Sequence, residues 1–242
     1  MNEFLQASRP ILFESSLGDH SSETVYWGKG TSFLASYNGQ YYLITANHVM
    51  KNQSATHDLL RIFPTDTSNY TIPFNAQYEL KPLNQNEQEE YHDIYLMRID
   101  IPMQIRNSDS PLFAIDLNKS IMSPESLSID TKLGIIGFPA DNREVDYEFL
   151  KIKYKRSVMS AKYKGRSSFD HCYSLCITDS LGHESIDGMS GSPVFYFQNI
   201  KEIAIPRLVG MMIRGSVESG NGHFVSVLAL KKALDEIIAQ EA

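Results

Sequence analysis

The chain has only two cysteines in its 242 residues, Cys172 and Cys176. Two thiols cannot staple a chain of this length, and no second pair exists to complete a zinc site. They read as two reduced residues on one strand, which fits a reducing cytoplasm. No apolar run reaches the roughly 18 residues that a membrane-spanning helix needs. From Met1 to Gly18 no basic cluster precedes an apolar stretch, so no secretory leader is visible. A mature form that had lost its leader would read the same way; the expected location is cytoplasmic, off the membrane. Positive charge is also scarce, with 22 Lys and Arg against 29 Asp and Glu and a net charge of −7. That balance argues against general nucleic-acid binding, which rests on phosphate neutralisation. Fixed-period repeats and low-complexity tracts are missing too. With 42% hydrophobic and 21% charged residues, the composition is globular and excludes a disordered chain, a coiled coil and a collagen-like fibre.

What the sequence does have is short β-type runs. Ile11 to Phe13, Thr31 to Ser36, Tyr41 to Thr45, Leu59 to Phe63 and Ile94 to Ile99 are rich in branched and aromatic residues. Turn residues separate them at Asn38-Gly39, Pro64 to Asp66 and Asn84 to Asn86. A second series follows: Leu133 to Ile136, Leu150 to Tyr154, Tyr173 to Thr178, Pro193 to Phe197, Leu208 to Ile213 and Phe224 to Leu228. Many short strands at this spacing predict an all-β barrel or sandwich architecture. The polar stretch Met103 to Asp130 reads as a connector between two halves. At the end, Ala229, Leu230, Ala233, Leu234, Ile237 and Ile238 recur at helical spacing and predict an amphipathic C-terminal helix on the second half.

One stretch is locally basic. Lys151, Lys153, Lys155, Arg156, Lys162, Lys164 and Arg166 stand in 16 residues with no acid. Alternation of Lys151, Lys153 and Lys155 with Ile152 and Tyr154 puts the charges on one strand face. That face is either solvated or a docking patch for an acidic partner.

Three segments carry chemistry. Gly188-Met189-Ser190-Gly191-Ser192-Pro193 sets glycines beside a serine, which permits a tight backbone with converging N–H groups, the requirement of an oxyanion hole. It could equally be a hairpin turn. Tyr42-Leu43-Ile44-Thr45-Ala46-Asn47-His48 runs an apolar strand into a histidine that could face a cleft as a general base. His92-Asp93-Ile94-Tyr95-Leu96 opens a buried-looking strand with a carboxylate that must find hydrogen-bond donors. Alone, the histidine and the aspartate each read as structural. Together the order is His, Asp, Ser, with separations of 45 and 97 residues.

With these pieces the chain resembles the chymotrypsin-like (trypsin-fold) serine peptidases, most of all the bacterial branch with the glutamyl endopeptidases and the high-temperature-requirement proteases. The matching pieces are Gly30 to Leu34, Thr45 to Val49, Asp93 to Leu96, Leu133 to Pro139, Ile177 to Asp179 and Gly188 to Pro193, nearly the whole chain. The resemblance implies two antiparallel six-stranded β-barrels, at about 9–105 and 131–228, joined by a connector at 106–130 and followed by a helix at 229–242. It implies a serine endopeptidase without cofactor or metal. Ser190 would be the nucleophile, His48 the base and Asp93 its orienter, with the N–H groups of Gly188 and Ser190 as the oxyanion hole. The substrate would be a peptide or protein. Regulation would fall to a partner protein.

Two departures stand out. Met189 replaces the aspartate with which digestive enzymes pair a newly cut N-terminus, so no such activation is expected. The sequence leaves open whether Met189 lets the Gly188 N–H face inward. Ile213 replaces a serine that often supports the aspartate, on the strand Leu208 to Gly215 that matches the family's substrate-pairing edge. For specificity, Glu184 and Asp187 on one wall would favour Lys or Arg before the scissile bond. Arg214 and His223 near the other wall, beside Ile213 and Gly215, would favour an acidic residue. The alternative function is an inactive protein of the same fold that uses its cleft or basic strand to hold a partner.

Overall fold

The computed structural model describes residues 2–14, 26–51, 57–65, 68, 71–80, 92–100, 112–141, 143–146 and 151–241. The turn at Asn84 to Asn86, Asp66, Leu150 and positions 103–111 of the connector lie outside them, as do the side chains of Lys151 and Lys153. The first half contains α1 (Asn2–Ala7), β1 (Ser8–Pro10), β2 (Leu12–Glu14), β3 (Tyr26–Trp27), β4 (Thr31–Tyr37), β5 (Gln40–Thr45), α2 (Asn47–Lys51), β6 (Leu60–Arg61), β7 (Phe74–Glu79) and β8 (Tyr95–Ile99). The connector supplies β9 (Ile115–Asp116). The second half contains β10 (Lys132–Gly137), β11 (Arg143–Asp146), β12 (Lys151–Tyr154), β13 (Ser157–Arg166), β14 (Cys172–Asp179), β15 (Pro193–Ile200), β16 (Ile203–Gly215), β17 (Asn221–Ser226) and α3 (Val227–Glu241).

The second half closes. β10, β13, β14, β17, β16 and β15 form a six-stranded barrel in that order, β15 returning to β10. Closure pairs every strand and removes exposed sheet edges. In the first half, two closed barrels having been expected, the described residues form instead a six-stranded sheet, β1-β4-β5-β8-β7 with β9 beside β4, flanked by the three-stranded β3-β2-β6. β4 and β5 meet through Asn38-Gly39, both at positive φ (49° and 80°), the two-residue hairpin that this dipeptide favours.

Period-two patterning explains how the halves fit. In the barrel, Leu133, Ile135, Leu175, Val194, Val209, Met212 and Phe224 point into one apolar cluster. Their strand neighbours Ile136, Phe195, Leu208, Met211, Ile213 and Val225 belong to a second, larger cluster with Phe33, Leu43, Ile44 and Leu96 of the first half. The barrel strands are thus apolar on both faces because one face lines the barrel and the other packs on its neighbour.

α3 starts at Val227, two residues before the expected start, because Ser226 ends the strand and its Oγ accepts the Leu228 N–H at 3.0 Å, the bond of an N-cap. Its apolar face, Ala229, Leu230, Ala233, Leu234 and Ile237, is buried. The helix does more than cover the second half: Tyr37 Oη donates to Asp235 at 2.6 Å, and Glu241 pairs with Arg98 and Tyr78. None of the helices among the described residues is long and apolar enough to cross a membrane.

Candidate active site

Short helix α2 begins right after β5, and its first N–H groups have no acceptor within the helix. Asp93, just before β8 in the neighbouring strand position, supplies one. Its Oδ1 accepts the His48 backbone N–H at 2.8 Å, and its Oδ2 meets the same residue's Nδ1 at 2.6 Å. Asn47 N–H adds a bond to Asp93 O at 3.3 Å. One carboxylate therefore fixes both the backbone and the ring of His48. A donor Nδ1–H against the carboxylate leaves Nε2 as the acceptor, the tautomer a general base needs. The side chain of His48 is 40% exposed and that of Asp93 24%, so the ring faces outward and the acid sits behind it.

Ser190 comes from the turn between β14 and β15. The turn is fixed by its own carbonyls. Asp187 O accepts from Ala140 N–H at 2.7 Å, and Met189 O accepts from Ser192 N–H at 3.0 Å. Among the described residues all peptide bonds are trans, so each N–H points opposite to the carbonyl of its peptide. The N–H groups of Gly188 and Ser190 consequently turn away from these partners, and neither donates to a carbonyl among the described residues. Gly188 (φ 90°) and Gly191 (φ 89°) take backbone conformations that side chains rarely adopt, and Gly191 touches Thr31 O and Thr45 too closely for any Cβ. The orientation of the Gly188 N–H, away from Ala140, is therefore compatible with Met189. That side chain is 1% exposed and packs in the barrel cluster, against Gly137.

The two halves are tied at this turn. Thr31 N–H donates to Ser190 O at 2.9 Å; Thr31 Oγ1 donates to Gly188 O at 2.7 Å and accepts from Phe138 N–H at 2.9 Å. His48, Asp93, Gly188, Ser190, Ile213 and Gly215 line one cleft of about 1040 Å3. The Ser190 hydroxyl donates to Ile213 O at 3.1 Å, and it makes no hydrogen bond to His48.

The expected specificity residues separate. Asp187, Ile213, Arg214 and Gly215 line the cleft, with Asp187 and Arg214 exposed. Glu184 is exposed, at a bend of its loop, and is not part of the cleft lining. His223 also stays out, opposite Arg214 and Ser174 in the barrel ladder. Arg214 places its guanidinium 5.6 Å from the Phe169 ring centre. Ile213 is 3% exposed and offers no side-chain support to Asp93. Trp27, Ile186 and Met212 also line the cleft; the sequence puts Ile186 in the wall stretch before Gly188 and Met212 on the strand Leu208 to Gly215 but gives neither a role, and it carries no signal for Trp27. His183 is held by Asp141 at 2.9 Å and Ser157 at 2.9 Å. Among the described residues, no cluster of three His, Cys, Asp or Glu could hold a metal ion. Neither models of known protein families nor curated protein sequences match this chain.

Proposed function

We propose that the chain is a serine endopeptidase of the trypsin fold, working through Ser190, His48 and Asp93 with an acyl-enzyme intermediate. On this reading the first-half sheet is the counterpart of the closed barrel, and the protein acts on peptides or proteins in a reducing cytoplasm. The observation that carries it is the His48–Asp93 pair at 2.6 Å, in one cleft with Ser190 and with two N–H groups aimed away from their own turn. Ser190 Oγ attacks the scissile carbonyl carbon while its proton passes to His48 Nε2. The C–N bond then breaks, and that proton goes to the leaving amine. Water repeats the sequence on the ester, releasing the acid and restoring the hydroxyl. Asp93 stabilises the imidazolium, and the N–H groups of Gly188 and Ser190 stabilise the oxyanion.

The Ser190–Ile213 hydrogen bond favours a second reading, an inactive fold that binds a partner in the cleft. For the peptidase, a rotation of the serine side chain must exchange that bond for one to His48. Reaction with a small fluorophosphonate separates the two. The peptidase labels at Ser190, and His48→Ala slows labelling; Ser190→Ala leaves a folded protein whose turnover falls by on the order of 10⁶. A folded wild-type protein that takes no label sinks the peptidase.

A further inference from the structure

Resting on the peptidase reading, we propose that the subsite next to Ser190 accepts only a small, uncharged side chain before the scissile bond, because Met212 and Ile186 fill the space behind it. Once the acyl carbon sits at Ser190 and its oxygen at the Gly188 and Ser190 N–H groups, the preceding side chain falls between two strips of cleft wall. One strip is Ile186 to Gly188 and the other is Ile213 to Gly215. Gly215 brings its strip close, but the depth beyond is occupied. A Cβ built on Gly215 would stand 2.6 Å from Ile186 Cδ1 and 2.7 Å from Met212 Cε. On the adjacent strand, a Cβ on Gly222 would stand 2.7 Å from Leu175 Cδ1 and 3.0 Å from Met212 Cε. The Met212 methyl thus lies between the two glycines, one from β16 and one from β17, in the region a long substrate side chain would need. Met212 is 1% exposed and Ile186 7% exposed, although both line the cleft. Residues that line a cleft with so little exposed surface are its floor.

Charge is also kept off this floor. Glu184 lies outside the cleft lining, and the charged residues that do line it, Lys29, Asp187 and Arg214, are exposed, Arg214 near the Phe169 ring. An acidic or basic side chain pressed against Met212 and Ile186 would lose water and meet no counter-charge there, only the Asn221 carbonyl. A small side chain, apolar or hydroxyl-bearing, stops short of that floor and keeps what water it needs.

The test uses the full chain and a series of four-residue chromogenic peptides that differ only at the last residue: Ala, Ser, Phe, Lys or Glu. The expected result is highest kcat/KM for Ala or Ser, with Phe, Lys and Glu lower by about tenfold or more, the discrimination a shape-limited pocket supplies. Met212→Ala should raise Phe relative to Ala about tenfold. Because Met212 also packs the barrel, Ile186→Ala at the rim is the second variant and should shift the ratio the same way. Fluorophosphonate labelling of Ser190 is read in parallel. Labelled wild type that prefers Phe, Lys or Glu overturns the subsite alone, as does an unchanged Phe-to-Ala ratio in both folded variants. Absence of both labelling and hydrolysis overturns the peptidase reading, and the subsite with it.

Discussion

Met189 illustrates how one residue changes the way a turn is held. An aspartate there would need a cation; a methionine needs only apolar neighbours, and it has them around Gly137 and in the barrel cluster. The orientation of the Gly188 N–H then rests on the hydrogen bond from Ala140 to Asp187 O, and that of the next peptide on Thr31 at Gly188 O, with no ion pair involved. Met189→Asp should therefore destabilise the fold by on the order of 3 kcal/mol or more, since it buries a carboxylate with the Ser192 hydroxyl beside it and no cation. Met189→Leu keeps volume and polarity and should cost less than about 1.5 kcal/mol. Urea unfolding of both variants checks this; equal midpoints would show that Met189 does not owe its place to the apolar cluster.

At the scale of elements, strong periodicity was legible and mixed patterning was not. α3 was readable because its apolar residues recur at helical spacing, and β5 because Tyr41 to Thr45 is uniformly apolar or branched. β13 was missed: its alternation of Val158, Ser160, Lys162 and Lys164 with Met159, Ala161 and Tyr163 puts charges outside and small or aromatic residues inside a barrel, and reads as a polar stretch. β7 was missed for the same reason, Asn75, Gln77 and Glu79 being exposed on a half-buried sheet. The triad segments were legible because each is a short local motif. The subsite floor was not, because Ile186, Met212 and Leu175 meet only through the barrel's closure. The basic stretch belongs here too. β11 and β12 set Glu144 opposite Lys153 and Asp146 opposite Lys151, while Lys164 pairs with Asp130 at 2.7 Å and Arg166 with Asp170 at 3.1 Å. Lys164 and Arg166 thus find counter-charge within the chain, and the strand register places acids across from Lys151 and Lys153. Changing Lys151, Lys153 and Lys155 together to Ser should shift stability by roughly 0–1 kcal/mol per pair and leave small-peptide cleavage intact. Protein-substrate cleavage at low and high salt should match wild type; a salt dependence lost in the triple variant would instead make this face a docking patch.

For the whole molecule, the question is what keeps a cleft between two halves in register to a fraction of an ångström. The larger apolar cluster runs from Phe33 and Ile44 through Phe195 and Met211 to Leu234, so hydrophobic packing welds the halves but does not by itself aim a peptide group. Direction comes from Thr31, which is fully buried at the start of β4. Its hydroxyl accepts from Phe138 N–H and donates to Gly188 O, while its own N–H holds Ser190 O. One residue of the first half thereby anchors both flanks of the nucleophile turn in the second. Thr31→Val keeps the shape and removes the hydroxyl, leaving a buried N–H and a carbonyl without this partner. The cost should be about 1–3 kcal/mol for each orphaned group. The Ser190 labelling rate should fall as well, because the turn that carries Ser190 loses its tie to the first half at Gly188 O. Thr31→Ser restores the hydroxyl and should recover most of the labelling rate, which a purely volumetric role for the side chain would not predict. Thermal unfolding and fluorophosphonate labelling of the two variants decide it: a Val variant that melts and labels like wild type would mean that packing alone holds the turn.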